Sequence, residues 1–280
     1  MKSAKSCFGV EAGTYEMSND KDELYSDESI IEFEAIFGAG FLSSGGQEEV
    51  AKIVENVDLA GKHVLDIGVG LGGPACLLVE EHGAARVTGI DVEDTVLEKA
   101  AQAVSRRGLQ DRVVLKRVEP GPLPFDDESF DVVFSKDAII HIPDKDALFR
   151  EIYRVLRPGG CVAMSDWYGS EEPLTDEMAA WLKPHGSNLT MTPIQNDAEL
   201  LGSAGFVDTA ILDRNAWFAE FSRKLADHMR GSGHDALVEA VGEEVAERMT
   251  SKAEQRAVIS AQGQLRPGHL RGRKPVQSKA

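Results

Sequence analysis

The sequence has few of the features that mark membrane or secreted proteins. It contains no apolar run of about 18 residues, so no transmembrane helix is predicted. The N-terminal stretch lacks the apolar segment of a secretory signal. The three cysteines, Cys7, Cys76 and Cys161, are odd in number and far apart, which is typical of reduced thiols rather than of a disulfide framework. We therefore expect a cytoplasmic protein without membrane association.

Positive charge and metal-binding patterns are also scarce. Lys and Arg number 30 against 47 Asp and Glu, giving a net charge of −17, which argues against a nucleic-acid partner because phosphate contacts need clustered basic residues. The seven histidines show no zinc-site spacing, so no metal is expected. A chain of 280 residues that is 42% hydrophobic is long enough for one large domain with its own core.

Short apolar strands alternate with helices between residues 61 and 166. The five predicted strands are Val64–Gly68, Arg86–Ile90, Val113–Arg117, Val132–Ser135 and Cys161–Ser165, the last following a turn at 157–160. This alternation predicts an α/β fold with a parallel sheet. Beyond residue 166 we predict helices over 175–186, 195–204 and 215–260, and a strand over 205–212.

The strongest local signal is the segment HVLDIGVGLGG at residues 63–73. A buried strand runs directly into a turn containing Gly68, Gly70 and Gly72, and a helix follows. Glycines let a ligand approach the backbone closely, and the helix N-terminus favours polar or anionic groups. The same turn is compatible with the dinucleotide site of a dehydrogenase, or with a tight connection that binds nothing.

Three acidic residues near the ends of the first three strands narrow this interpretation. Asp66 lies inside the first strand, two residues before the first glycine. Asp91 ends the second strand, where a carboxylate can hold both ribose hydroxyls; the alternative is a helix N-cap. Glu119 follows the third strand, where it can accept a hydrogen bond from an adenine amino group; the alternative is a solvated loop acid.

These segments, together with LPFDDESFDVVFS at 123–135 and LRPGG at 156–160, resemble class I S-adenosylmethionine-dependent methyltransferases. The resemblance implies a Rossmann-like sheet of seven strands with the last one antiparallel, N-terminal lid helices and a helical insertion. It also implies S-adenosyl-L-methionine as cofactor, bound across the carboxyl ends of the strands, with S-adenosyl-L-homocysteine as product.

A narrower resemblance covers residues 22–261. YSDE at 25–28, the segment at 33–46, SKDAIIHIPDK at 135–145 and MSDW at 164–167 resemble phosphoethanolamine N-methyltransferases. Carried over by position, this implies cofactor contacts at Ser43, Gly68, Asp91, Val92, Glu119 and Lys136. It implies that Tyr25, Asp137 and His141 face the substrate amine. Glu119 and Lys136 stand where the family usually has Asp and Arg, and both keep the charge.

The substrate end departs from that family. Trp167, Trp181 and His185 stand at positions where the family grips phosphate with tyrosines and an arginine, and only Lys252 is retained. Phe33 also replaces a tyrosine. An aromatic pocket formed with Tyr25 would suit a methylated ammonium through cation–π contacts, or an apolar substrate. The tryptophans can equally be ordinary core residues.

The chemistry of methyl transfer to nitrogen suggests roles for three residues. Asp137 and His141 are four positions apart, so a helical turn would place them on one side. The unperturbed pKa of a histidine, about 6.5, suits removal of a proton from an ammonium. Asp137 would hold the ammonium or orient the histidine, and Tyr25 would hydrogen-bond to the histidine and cover the site.

The leading hypothesis is a methyltransferase of a small amine, which is phosphoethanolamine-like, glycine- or sarcosine-like, or a natural-product amine or amino acid. The alternatives are a C- or O-methyltransferase of an apolar small metabolite, a non-catalytic cofactor sensor, and a dehydrogenase. We expect a monomer or homodimer.

The chain divides into segments on this basis. Residues 21–262 form the methyltransferase domain, with a lid at 21–46, a cofactor-binding core at 61–166 and a substrate-side region at 167–262. Residues 1–20 are predicted to be a disordered lead. Residues 263–280, which carry Arg266, Arg271, Arg273, Lys274 and Lys279 without any acid, are predicted to be a disordered basic tail.

Overall fold

A computed structural model describes residues 25–185 and 189–276 of the chain. The predicted lead at 1–20 lies outside the described residues. None of the helices in these two stretches is long and apolar enough to cross a membrane.

Seven strands form one sheet in the order β3-β2-β1-β4-β5-β7-β6. Strands β1 to β5 pair in parallel, and β7 is antiparallel to both β5 and β6. The expected seven-stranded sheet with an antiparallel last strand is therefore confirmed. The strands are β1 His63–Ile67, β2 Arg86–Asp91, β3 Val113–Arg117, β4 Phe130–Lys136, β5 Leu156–Gly169, β6 Val207–Asp213 and β7 Leu265–Arg273.

Helices cover the sheet, and further helices follow in the C-terminal part of the chain. Ser26 caps the first of them by accepting a hydrogen bond from the Ser29 backbone N–H at 3.2 Å. The helices are α1 Asp27–Phe37, α2 Gly46–Ile53, α3 Gly73–Glu80, α4 Asp94–Arg106, α5 Lys145–Val155, α6 Asp176–Leu182, α7 Ile194–Ser203, α8 Asn215–Arg230, α9 His234–Val241 and α10 Glu243–Ala261.

Each face of the sheet has its own apolar core, because successive strand residues point to opposite faces. Val64 and Phe134 pack under α2, α3 and α4. Leu65 and Val133 pack on the other side against α5 and α7. This two-sided burial is why β1 and β4 are continuous apolar runs in the sequence.

The predicted disordered tail is wrong for residues 265–273, which form β7 in the interior of the sheet. The glycines that suggest a linker are packing positions: a Cβ on Gly268 or Gly272 would lie 2.7 Å from Ile194 and 2.6 Å from Leu201 of α7. The basic side chains are also engaged, since Arg271 donates to the Lys52 carbonyl at 2.7 Å.

The predicted turn at 157–160 lies within β5 rather than before it. Leu156 pairs with Phe130 and Cys161 pairs with Val132. Four residues of β5 therefore stand opposite the single residue Asp131, which makes the segment a bulge in a longer strand.

A buried ionic cluster joins α2 to the C-terminal part of the fold. The Glu49 carboxylate accepts hydrogen bonds from Arg214 at 2.6 and 3.0 Å and lies 2.6 Å from His269 Nε2. Burial by itself would raise the pKa of Glu49, but the hydrogen bonds from His269 and Arg214 outweigh it and lower the pKa to about 2. The cluster fixes α2, whose first residue follows the lid loop.

This cluster predicts how stability depends on pH. Because the pKa of Glu49 in the folded state is below its ordinary value of 4.5, its contribution is present above about pH 4.5 and is lost as the pH falls toward 2. The shift corresponds to about 3 kcal/mol of unfolding free energy. In thermal unfolding, Glu49→Gln is expected to lower Tm at pH 7, and its deficit relative to wild type should shrink below pH 4.

Glu48→Gln removes the same charge from the exposed neighbouring residue and serves as the matched control. It is expected to leave Tm nearly unchanged at either pH. A Glu49→Gln deficit that stays constant down to pH 3 would contradict the assignment.

Candidate active site

The glycine turn packs directly against the segment that follows β4. Gly68, Gly70 and Gly72 all have positive φ, the backbone region that L side chains rarely adopt. The backbone N–H groups of Gly68 and Val69 donate to the Ile90 carbonyl at 2.9 and 3.0 Å. A Cβ on Gly68 would overlap the Cβ of Ala138, so the ends of β1, β2 and β4 meet at this turn.

Asp91 lies at the end of β2 and holds the turn. Its Oδ2 accepts from the Gly70 N–H at 3.0 Å, and its Oδ1 accepts from the N–H groups of Val92 at 2.8 Å and Glu93 at 3.2 Å. Burial raises the pKa of Asp91 above its ordinary value, although these three donors oppose the shift. A carboxylate has about four acceptor sites, so these three donors leave one site, on Oδ2, for a ribose hydroxyl.

Asp66 is a buried carboxyl group beneath the turn. Its side chain is almost fully enclosed, and Oδ2 has no hydrogen-bond partner among the described residues. Burial, followed by the nearby Asp91, raises the pKa of Asp66 to about 8. A carboxyl group with that pKa is mostly protonated at neutral pH, so it can donate a hydrogen bond as well as accept one.

The loop between α1 and α2 crosses the glycine turn. The Gly73 N–H donates to the Gly40 carbonyl at 3.2 Å, so the loop rests on the first residue of α3. Lys136 Nζ, at the end of β4, donates to Ser43 Oγ at 2.6 Å and to the Ser44 carbonyl at 2.9 Å. These contacts attach the segment to the carboxyl edge of the sheet.

Asp137 lies next to Lys136 in an unusual backbone conformation, with a φ of +56°. Its Oδ2 accepts from Lys136 Nζ at 2.9 Å, and its Oδ1 accepts from Ser165 Oγ at 2.8 Å. Both oxygens therefore have a protein donor. These two bonds attach Asp137 to Lys136 and to β5, and the predicted role of Asp137 toward the substrate amine or His141 stays a prediction.

Tyr25 and His141 both lie near Asp91. Burial, then the charges of Asp91 and Glu93, raise the pKa of Tyr25 to about 12. His141 is exposed at the end of the short 3-10 helix Ile139–His141, and its charge acts to lower the pKa of Asp91. The structure thus places Tyr25 near Asp91, the carboxylate predicted to bind the ribose. From the sequence, Tyr25 was predicted only to contact His141.

Glu119 is paired with a neighbouring basic residue. It is exposed and forms an ion pair with Arg117, which also contacts Asp94 at 3.3 Å. The predicted adenine acceptor is therefore engaged by a neighbouring guanidinium in this structure.

The predicted substrate residues fall into two groups. Trp167 and Trp181 lie together, with ring centroids 6.1 Å apart, and Trp167 also packs against Phe218 at 5.8 Å. Phe33 stacks on Phe37 of the same lid helix at 6.3 Å. Lys252 is exposed on α10, and the side chain of His185 lies outside the described part of the chain.

Arg256 is a residue of this region that the sequence did not predict. Its guanidinium lies between the Phe37 and Trp167 rings, 5.8 Å from each centroid. A signal was present, because Arg256 falls on the buried stripe of α10 between Ala253 and Ser260 at helical spacing. An arginine on such a stripe with no acid three or four positions before or after it is unusual.

No group of three or more His, Cys, Asp or Glu side chains within 25–185 and 189–276 is placed to hold a metal ion.

Comparison with known proteins agrees with this geometry. The family model described as "Methyltransferase domain" matches residues 65–164. A phosphoethanolamine N-methyltransferase of Plasmodium falciparum is 31% identical over 205 residues, covering 70% of this chain and 75% of that protein. Phosphoethanolamine N-methyltransferase 1 of Arabidopsis thaliana is 34% identical over 206 residues, covering 73% of this chain and 41% of that protein. The chain thus spans about two fifths of the length of its plant relatives.

Solved structures of methyltransferases also resemble this chain. Phosphoethanolamine N-methyltransferase 2 of Haemonchus contortus, in complex with phosphomonomethylethanolamine and S-adenosylhomocysteine, superposes with a TM-score of 0.83 at 25% identity, covering 91% of this chain and 59% of that one. A putative sarcosine dimethylglycine methyltransferase from Galdieria sulphuraria has a TM-score of 0.70 at 23% identity, covering 82% and 85%, and shares the fold.

The sheet order, the antiparallel β7 and the glycine turn with Asp91 define a class I S-adenosylmethionine-dependent methyltransferase. Within that class, the chain belongs to the phosphoethanolamine N-methyltransferase family.

The residues present fit the cofactor of that class. A side chain on Gly68 or Gly70 would occupy the turn, and the carboxylate of Asp91 and the unpartnered oxygen of Asp66 lie beside it. Lys136 and Ser43 close the same cleft from the lid side.

Proposed function

We propose that this protein is a cytoplasmic S-adenosylmethionine-dependent N-methyltransferase of a small amine. The observation that carries the proposal is the packing of Ala138 against Gly68. Because the segment after β4 lies on the glycine turn, His141, three residues after Ala138, is within electrostatic range of Asp91. The relatives named as phosphoethanolamine N-methyltransferases support an amine as the acceptor.

The cofactor supplies an electrophilic methyl group on a sulfonium. The acceptor nitrogen needs a free lone pair, so an ammonium must first lose a proton. His141 takes that proton, since it is exposed at the end of the short 3-10 helix and imidazole is the side chain best suited to general-base work near neutral pH. Displacement at the methyl carbon then depends mainly on alignment and on exclusion of water.

Asp137 and Tyr25 shape the site around that histidine. With both oxygens held by Lys136 and Ser165, Asp137 is a fixed negative charge that favours an ammonium in the cleft. Tyr25 keeps its proton at neutral pH because its pKa is raised to about 12, so it acts as a hydrogen-bond donor and as a cover over Asp91.

Each predicted segment of the chain has its own role in this proposal. Residues 21–46 act as the lid and contribute Ser43 to the cofactor site, and residues 61–166 hold the cofactor through Asp66, Asp91 and Val92. Residues 167–262 contribute the substrate side.

A change at His141 tests the proposal. We expect His141→Ala to lower kcat by at least about tenfold and to remove the acidic limb of the pH–rate profile, with the affinity for S-adenosylhomocysteine unchanged. The assay measures labelled methyl transfer to phosphoethanolamine, ethanolamine, sarcosine and dimethylglycine. The last of these already carries two N-methyl groups and so tests the final methylation.

His228→Ala, at an exposed position of α8, is the matched control and should match wild type. Unchanged turnover in His141→Ala would remove that residue from the mechanism. Absence of turnover with all four acceptors, with S-adenosylhomocysteine still bound, would contradict N-methylation of a small amine.

A second candidate is a C- or O-methyltransferase of an apolar metabolite. The observation that favours it is the aromatic cluster of Trp167, Trp181 and Phe218, which offers an apolar surface beside the site. The two candidates differ in pH dependence, because only an amine acceptor makes the rate follow the pKa of the substrate nitrogen.

A further inference from the structure

Lys145 and Asp197 form a buried ion pair close in sequence to the predicted catalytic histidine, since Lys145 follows His141 by four residues. Lys145 Nζ donates to Asp197 Oδ2 at 2.8 Å, and the two side chains are 4% and 1% exposed. Burial raises the pKa of Asp197, and the charge and hydrogen bond of Lys145 oppose that shift. The pair joins the first residue of α5 to the first turn of α7, although the two residues are 52 positions apart.

The residues just before α7 connect this pair to the loop that follows β4. The Thr190 N–H donates to the Ile140 carbonyl at 2.7 Å, and Thr192 Oγ1 donates to Asp197 Oδ1 at 3.4 Å. The Thr192 carbonyl in turn accepts from the N–H of Gly169, the last residue of β5, at 3.0 Å. One short stretch of chain therefore attaches both the loop and Asp197 to the end of β5.

His141 lies between two of these attachment points. It ends a 3-10 helix of three residues, with Ile140 directly before it and Lys145 four residues after it. Such a short 3-10 helix has few hydrogen bonds of its own, and the His141 N–H donates only within it, to the Ala138 carbonyl at 3.2 Å. The direction of the imidazole therefore depends on what holds the loop on either side. Ala138, packed on Gly68, holds one side, and the ion pair holds the other.

Stability alone does not account for a pair of this kind. The cost of removing two charges from water offsets most of their attraction, so apolar side chains of similar volume would join the two helices at least as well. A hydrogen-bonded ion pair differs from an apolar contact because it fixes one geometry. Proton transfer depends on such precision, since a displacement of about 1 Å can lower a rate about 100-fold.

We propose that Lys145 and Asp197 are positioning residues that hold His141 in place for removal of the proton from the acceptor amine. The inference rests on the proposed N-methyltransferase function and deepens it, because it gives the starts of α5 and α7 a part in the reaction. Both residues act through His141 rather than on the substrate.

Replacing both partners separates positioning from stability. Lys145→Met alone leaves Asp197 buried without its cation and is expected to lower Tm, whereas Lys145→Met with Asp197→Leu removes both charges and should regain most of that loss. Well below Tm, we expect this double replacement to lower kcat by about tenfold or more and to change the affinity for S-adenosylhomocysteine by less than about twofold. Asp146→Asn with Arg150→Met removes an exposed ion pair of the same helix and should match wild type.

A double-mutant cycle shows whether the pair acts through the histidine. In the His141→Ala background, the double replacement is expected to change kcat by less than about twofold, because no imidazole remains to be positioned. In the native background it should weaken the acidic limb of the pH–rate profile, as His141→Ala does. Asp197→Asn goes through the same cycle because it keeps the shape of the side chain, so the result does not depend on the folding of one variant.

Hydrogen exchange follows the loop without turnover, and the backbone amides of 139–142 should exchange faster in the double replacement than in wild type. Full kcat in the double replacement, an equal loss of kcat in the native and His141→Ala backgrounds, or unchanged exchange would each overturn the positioning role. Faster exchange, together with no methylation of any amine by wild type, would instead retain the anchoring of the loop and contradict the proposed function.

Discussion

Asp91→Ala is expected to weaken binding of S-adenosylhomocysteine by at least about 100-fold, or about 2.7 kcal/mol. The carboxylate accepts three backbone N–H groups, one of them from Gly70 in the turn. Hydrogen bonds to a charged acceptor are the stronger kind, so removal of this carboxylate loosens the turn and also removes the predicted partner of the ribose. Isothermal titration calorimetry measures the affinity directly.

Two further variants make this result interpretable. Asp91→Asn retains one acceptor oxygen and is expected to fall between wild type and Asp91→Ala. Glu98→Ala removes a carboxylate from an exposed position of α4. This variant should bind S-adenosylhomocysteine as wild type does. If Asp91→Ala binds normally, Asp91 is only a cap of α4 and the ribose assignment is wrong.

Lys136→Met is expected to lower kcat/KM by at least about 100-fold and the unfolding free energy by about 3 kcal/mol. The side chain is buried and bonds Ser43, the Ser44 carbonyl and Asp137 at once. Its loss leaves the Asp137 carboxylate enclosed without a cation, and it detaches the lid from β4. Hydrogen exchange at the backbone amides of 38–45 should become faster.

Lys136→Arg is the matched control, because it preserves the charge and provides the residue usual in the family. It should restore most of the activity and the slow exchange of the lid. Equal exchange in Lys136→Met and wild type would show that the lid is held elsewhere, through Gly40 and Gly73.

The N-terminal half of the sheet was predictable because its signals are local. Strands buried on both faces appear as apolar runs, so β1 to β4 were located within one or two residues. The positive φ values at Gly68, Gly70 and Gly72 explain why three glycines recur at that spacing. The interpretation of the cofactor class followed from the same few residues.

The features that were missed depend on contacts between distant segments. β7 carries glycines because α7 packs against it. Lys274, the residue after the strand, donates to the carbonyls of Tyr153 and Leu156 at 2.9 and 2.7 Å. The ties of Asp137 to Ser165 and of Lys136 to Ser43 also join segments far apart in sequence. Composition alone cannot distinguish such a strand from a linker.

The position of β7 has a consequence for the order in which the chain assembles during synthesis. β1 to β5, with the glycine turn, Asp91 and Asp137, pair among themselves and can form while the ribosome is still adding residues. β6 touches the sheet only through β7, and Leu265 of β7 belongs to the aromatic cluster around Trp181. The cofactor half of the site can therefore exist on the nascent chain before the acceptor half, which is completed only when β7 inserts between β5 and β6.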